Sequence, residues 1–173
     1  AAGRVFTNAM VGDQRVALYG FDAVTGEQLW SREWETGTLG KIGGVNSHAS
    51  STPVADDERV YFYFPTLGML AVDAETGADV WQMPMPKPFV AFGWGLGASP
   101  VLYRDMLLFC QDDDLYPALH AFDKRTGEIL WRDDRLDMNV NYSAPVICTT
   151  DGVDEIVVAG TGKLIGHDPN TGE

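Results

Sequence analysis

The chain has 173 residues, 45% of them hydrophobic, which is enough for a packed core and too much for a disordered segment. Its 25 acidic and 12 basic residues leave a formal charge of −13, which argues against nucleic acid and against an anionic membrane surface as partners. No apolar run approaches the roughly 20 residues needed to span a bilayer, and 19 glycines with nine prolines point to many tight turns and much β structure.

In chain order, the first unit opens with a strand over 4–10 and runs into Phe21-Asp22-Ala23-Val24-Thr25-Gly26-Glu27-Gln28-Leu29-Trp30. The opening Ala1-Ala2-Gly3-Arg4 lacks the charged-then-apolar pattern of a leader peptide. The second unit predicts strands over 52–55, 59–64, 69–73 and 78–83, the third over 99–103, 106–111, 118–123 and 128–132. The fourth predicts strands over 144–149, 155–159 and 163–168. Each unit carries one motif: Asp22, Gly26 and Trp30; Asp73, Gly77 and Trp81; Asp123, Gly127 and Trp131; then Asp168 and Gly172. The aspartates are 51, 50 and 45 residues apart, and a small residue stands two places before each: Gly20, Ala71, Ala121 and Gly166. A second marker, Pro53, Pro100 and Pro145, keeps nearly the same period.

The motif has a mechanical reading. The Asp carboxylate accepts bonds from backbone N–H groups two or three residues on, and Gly supplies the positive φ that closes a bulged hairpin. The small residue marks a close approach by a ring or backbone. The Trp reads as a wedge between units. The Asp, Thr, Gly and Trp of the motif are expected to be folding residues, and four-strand units of this length are the signature of propeller blades.

These residues resemble the PQQ-like β-propeller repeat, the BamB-like and PQQ-binding-like class of exported bacterial proteins. The resemblance implies an all-β propeller of four-stranded antiparallel blades. About three and a half are present, at approximately 1–34 (lacking its first strand), 48–84, 96–133 and 142–173 (cut short), as part of a 7–8-bladed ring. It implies an extracytoplasmic, periplasmic or envelope-associated protein. The leading expectation is a non-catalytic scaffold with no cofactor. Its loop-rich face would bind protein, peptide or carbohydrate, beside the remaining blades. The alternative is part of a quinoprotein dehydrogenase using pyrroloquinoline quinone and calcium.

Blade topology places the connectors between units on one face, together with the 111–117 loop. Candidates there are weighed against bland roles. His48 stands at the mouth of the presumed channel, and an ordinary hydrogen-bonded His is expected. Trp94 follows three prolines and lies near where the family's quinone would stack, yet packing on a neighbouring blade is expected. Asn141 is a further weak cofactor contact. Asp112, Asp113 and Asp114 offer the oxygens calcium prefers, but lack the spacing of an EF-hand loop and read as a solvated acidic loop. Cys110 and Cys148 read as buried free thiols. His120 and His167 are expected to pack between blades. No catalytic triad is legible from spacing.

Overall fold

The computed structural model describes residues 3–173; Ala1 and Ala2, on which the reading of the start depends, lie outside the described residues. Four antiparallel sheets follow one another along the chain. The first is β1 (Arg4–Val11), β2 (Arg15–Asp22) and β3 (Gln28–Glu35); the second is β4 (Val54–Ala55), β5 (Arg59–Phe64), β6 (Gly68–Asp73) and β7 (Asp79–Met83). The third is β8 (Val101–Tyr103), β9 (Met106–Gln111), β10 (Ala118–Asp123) and β11 (Ile129–Asp134); the fourth is β12 (Val146–Thr150), β13 (Val153–Gly160) and β14 (Lys163–His167). Strand order equals chain order in every sheet, as in propeller blades.

The sheets pack face to face, and the sequence of β5 shows why. Its residues Val60-Tyr61-Phe62-Tyr63-Phe64 are all buried, which a one-sided strand would not require. Successive side chains point to opposite faces. Val60, Phe62 and Phe64 join Val16 and Leu18 of β2 in a core shared with the first sheet. Tyr61 and Tyr63 join Leu107, Phe109 and Phe122 in a core shared with the third. A third core joins Leu108, Cys110 and Leu119 to Ile156 and Val158 of β13. Each inner sheet is therefore a two-sided wedge between its neighbours. Cys110 is buried as expected, but Cys148 is exposed because it points to the face of the fourth sheet opposite Ile147, and among the described residues no further sheet covers that face; both thiols are free.

The recurring turn has the predicted mechanism. The Asp22 carboxylate accepts from the N–H groups of Val24 (2.9 Å) and Thr25 (2.7 Å) and from the Thr25 hydroxyl (3.1 Å). Asp73 does the same with Glu75 and Thr76, and Asp123 takes the N–H groups of Arg125 and Thr126. These bonds, from Thr25 above all, hold the Asp22 carboxyl below its ordinary range. A register shift between Gly20 and Phe21 marks the bulge, repeated at Ala71/Val72 and Ala121/Phe122.

The tryptophan is the link between sheets. Trp30 Nε1 donates to Ala74 O of the next sheet at 3.2 Å, Trp81 Nε1 to Lys124 O at 3.0 Å, and Trp131 Nε1 to Pro169 O at 2.9 Å. Each indole lies flat over the glycine of that neighbouring turn. A Cβ on Gly77 would stand 2.7 Å from the Trp30 ring, on Gly127 2.6 Å from Trp81, and on Gly172 2.5 Å from Trp131. Gly20, the small residue of the first repeat, lies under the same ring from its own sheet, with Trp30 2.5 Å from its would-be Cβ. Gly26 has the same φ as Gly77, +72°, but nothing within 4 Å. This pair separates backbone strain from the ring contact. Gly26→Ala is expected to cost about 1 kcal/mol from the left-handed φ alone. Gly77→Ala is expected to cost roughly 1–3 kcal/mol more. Urea titrations of the two variants check the difference.

Candidate functional site

The connectors between sheets gather on one face with one hairpin loop of each sheet, the second in the four-stranded sheets and the first in the opening three-stranded sheet, as blade topology predicts. Asp114 N–H donates to Phe89 O, Arg135 N–H to Pro117 O, and Thr36 N–H to Gln14 O. The first connector is shorter than its sequence suggests, because β3 continues to Glu35. Trp34 extends it by packing against Phe62, with ring centroids 5.1 Å apart.

The acidic run is not a solvated loop. Asp112 and Asp113 are fully buried, and only Asp114 is exposed. Asp112 Oδ1 accepts Arg135 Nε at 2.9 Å and its Oδ2 accepts Arg135 Nη2 at 3.2 Å, a two-pronged ion pair with both side chains buried. Asp112 Oδ2 also accepts Asn141 Nδ2 at 3.2 Å. Asp113 Oδ1 caps the N–H groups of Leu115 and Tyr116, and its Oδ2 accepts Gln111 Nε2 at 3.0 Å. Asp114 turns outward to the N–H of Ala91. The three carboxylates serve three separate tasks and do not converge as a calcium site. Among the described residues no three His, Cys, Asp or Glu side chains group as metal ligands.

Asn141 spends its side chain within the fold. Its Oδ1 accepts the Ser143 N–H at 3.1 Å and hydroxyl at 2.9 Å, while its Nδ2 also donates to Ala159 O. His167 is buried beside the ion pair. Its Nδ1 donates to Gly172 O at 3.0 Å, which leaves Nε2 to accept from Arg135 Nη1 at 3.3 Å. Arg135 thus bolts the third sheet to the fourth. The sequence does not single it out, because Arg132 stands beside the same aspartates and pairs with Asp134 at the surface.

His120 packs flat on Phe122, centroids 5.7 Å apart, and is buried with no hydrogen-bond partner on Nδ1. Burial, with a smaller contribution from Arg132, pushes its pKa down to about 4. Tyr63, which packs on Phe109, has its hydroxyl pushed well above the tyrosine range, by burial first and then by the Asp113 charge.

Two candidates belong to an open apolar feature. Trp94 is 56% exposed and stacks on Phe92, which is 78% exposed, at 5.2 Å. The expected packing against a neighbouring blade is not what it does. Asn46 fixes this segment by donating to the Trp94 carbonyl. Phe89, also exposed, lies in the same connector and lines the cavity beside it. Beneath them the first two connectors enclose a cavity of about 270 Å³. His48 lines it, with Nε2 donating to Gly40 O at 3.0 Å, the ordinary hydrogen-bonded role. The site is therefore an apolar recess on the connector face, with exposed aromatic rings beside it.

A family model described as outer membrane protein assembly factor BamB matches residues 12–173. No curated protein sequence matches. Among solved structures, BamB from Moraxella catarrhalis superposes with a TM-score of 0.55 at 20% identity, over 88% of this chain and 40% of that one. The quinohemoprotein alcohol dehydrogenase ADHIIG from Pseudomonas putida HK5 gives 0.61 at 18% identity, over 99% of this chain and 32% of that one. A europium-containing methanol dehydrogenase gives 0.52 at 16%, over 78% and 23%. These likenesses establish the propeller fold. The chain spans less than half the length of each of these proteins.

Proposed function

Because this chain belongs to the family of the outer membrane protein assembly factor BamB, with its PQQ-like blade repeat, we propose that it is a non-catalytic, envelope-located binding module. It holds a partner on its connector face, and a protein or peptide of the outer-membrane assembly machinery suits that face best. The observation that carries this reading is the exposed Phe92–Trp94 stack, with Phe89 exposed in the same connector. Exposed aromatic clusters of this kind mark interaction sites, and buried aromatic anchors dominate the energy of interfaces. A carbohydrate ring stacked on the Phe92–Trp94 pair is the same surface used for a different ligand.

The chemistry of the site supports binding over turnover. Asp112, Asp113 and Asn141 are committed to structural hydrogen bonds, so they fit poorly as calcium or quinone ligands. The quinoprotein alternative is tested by adding calcium and pyrroloquinoline quinone to the full-length protein. Quinone absorbance with dye reduction by an alcohol would favour the enzyme.

The binding reading is tested by surface plasmon resonance of the full-length protein against the purified outer-membrane assembly complex of its own source. The double variant Phe92→Ser, Trp94→Ser is expected to weaken binding at least tenfold, the equivalent of about 1.4 kcal/mol. Unchanged affinity, with circular dichroism confirming the fold, would remove the aromatic cluster from the interface.

A further inference from the structure

The cavity under the aromatic cluster has a charge pattern at odds with the rest of the chain. The molecule carries a net charge of −13, yet no aspartate or glutamate lines this cavity. Lys41 and Lys87 do line it. The chain has four lysines. Lys124 pairs with Asp56 and Lys163 with Asp137. Lys41 and Lys87 have no carboxylate partner among the described residues. Lys87 Nζ donates to Thr38 O at 3.1 Å, which ties the two connectors together and leaves two of its three N–H bonds. Apart from His48, whose Nε2 is engaged by Gly40 O, the rest of the wall is mainly apolar, with Leu39, Ile42, Pro65, Val90 and Leu96. Gly95 lets the wall close, since a Cβ there would meet Ile42 at 2.7 Å.

We propose that this cavity is a binding site for a small amphiphilic carboxylate, with its apolar body against Leu39, Ile42, Val90 and Leu96 and its anionic end between Lys41 and Lys87. Apolar walls with a few placed polar groups are the common design of small-ligand sites, and this volume, just below the usual range of such sites, fits one ring or a chain of about eight carbons. A cationic rim on an otherwise acidic molecule selects the sign of the head group. The inference concerns the cavity and does not require the aromatic cluster above it to be a protein interface.

The test is isothermal titration of the full-length protein with octanoate and, separately, with octylammonium, which keeps the tail and reverses the head charge. Saturable sub-millimolar binding of octanoate is expected, about tenfold tighter than octylammonium. The double variant Lys41→Ala, Lys87→Ala removes both cationic ends, together with the Lys87 bond to Thr38 O, and is expected to erase that preference while circular dichroism stays unchanged. Val90→Trp, which fills the apolar end, is expected to abolish octanoate binding while circular dichroism stays unchanged. Absence of saturable octanoate binding at millimolar concentration would overturn the proposal. So would equal binding of the two probes, a double variant that keeps the preference, or a folded Val90→Trp protein that still binds. The Phe92→Ser, Trp94→Ser variant keeps both lysines and the cavity wall. Octanoate binding by that variant, alongside lost partner binding, separates this site from the interface above it.

Discussion

Arg135→Met is expected to destabilise the protein by about 3–5 kcal/mol, because it leaves the Asp112 carboxylate buried without its countercharge. That is a large share of the roughly 5–15 kcal/mol that holds a domain folded. The loss has three parts: the two-pronged ion pair, the donor to His167 Nε2, and the contact of the Arg135 side chain with the Gly160 region, where a Cβ would lie 3.2 Å from Nη2. Adding Asp112→Leu to Arg135→Met is expected to recover much of the loss, since an apolar pair of similar volume needs no countercharge. Urea denaturation of the two single variants and the double gives the coupling energy. A double variant no more stable than either single one would show that the pair holds the sheets together by geometry that leucine and methionine do not reproduce.

His120→Leu is expected to make the protein more resistant to mild acid. The folded state holds His120 near a pKa of about 4, against an ordinary histidine value of 6.5. Between those limits the unfolded chain takes up a proton that the folded chain refuses. Stability therefore falls as pH drops from 6.5 to 4 and stops falling on this account below 4. The size of the effect is on the order of 3 kcal/mol. Leucine carries no such linkage, and Leu70 holds the corresponding place in the second repeat. It also removes a buried nitrogen with no partner, so the variant is expected to be no less stable at pH 7. Melting temperatures from pH 7 to 4.5 check this. The gap between variant and parent should widen towards acid. The carboxylates of the repeat turns, such as Asp22 and Asp73, are held below 3.8 and lose their contribution at still lower pH.

The fold was legible because its determinants are local and repeated. Asp22, Thr25 and Gly26 satisfy one another within a single turn, so their chemistry reads directly off the string. The Trp wedge was legible because the residue recurs at a fixed distance from that turn, although its acceptor lies about forty residues away. The connector face followed from counting strands. Its contents did not. Asp112 reads as solvent-exposed because two more carboxylates follow it. Its burial depends on Arg135, which lies 23 residues on and across a sheet. Trp94 reads as a packing residue by size, and only the path of the connector through Gly93 and Gly95, both with positive φ, puts it outside. Lys41 and Lys87 sit in different connectors, and nothing in the sequence marks them as sharing one cavity.

The indole link runs one way along the chain. Trp30, Trp81 and Trp131 each reach the sheet that follows, and each receiving turn offers a bare glycine and an accepting carbonyl. A repeat thus carries both plug and socket. Copying one in tandem adds a module that already fits its predecessor, with no new joint to invent. Such a lineage can lengthen by duplication while selection works on the connectors alone. That accounts for a chain whose hairpins are nearly interchangeable while its loops differ in length, charge and aromatic content.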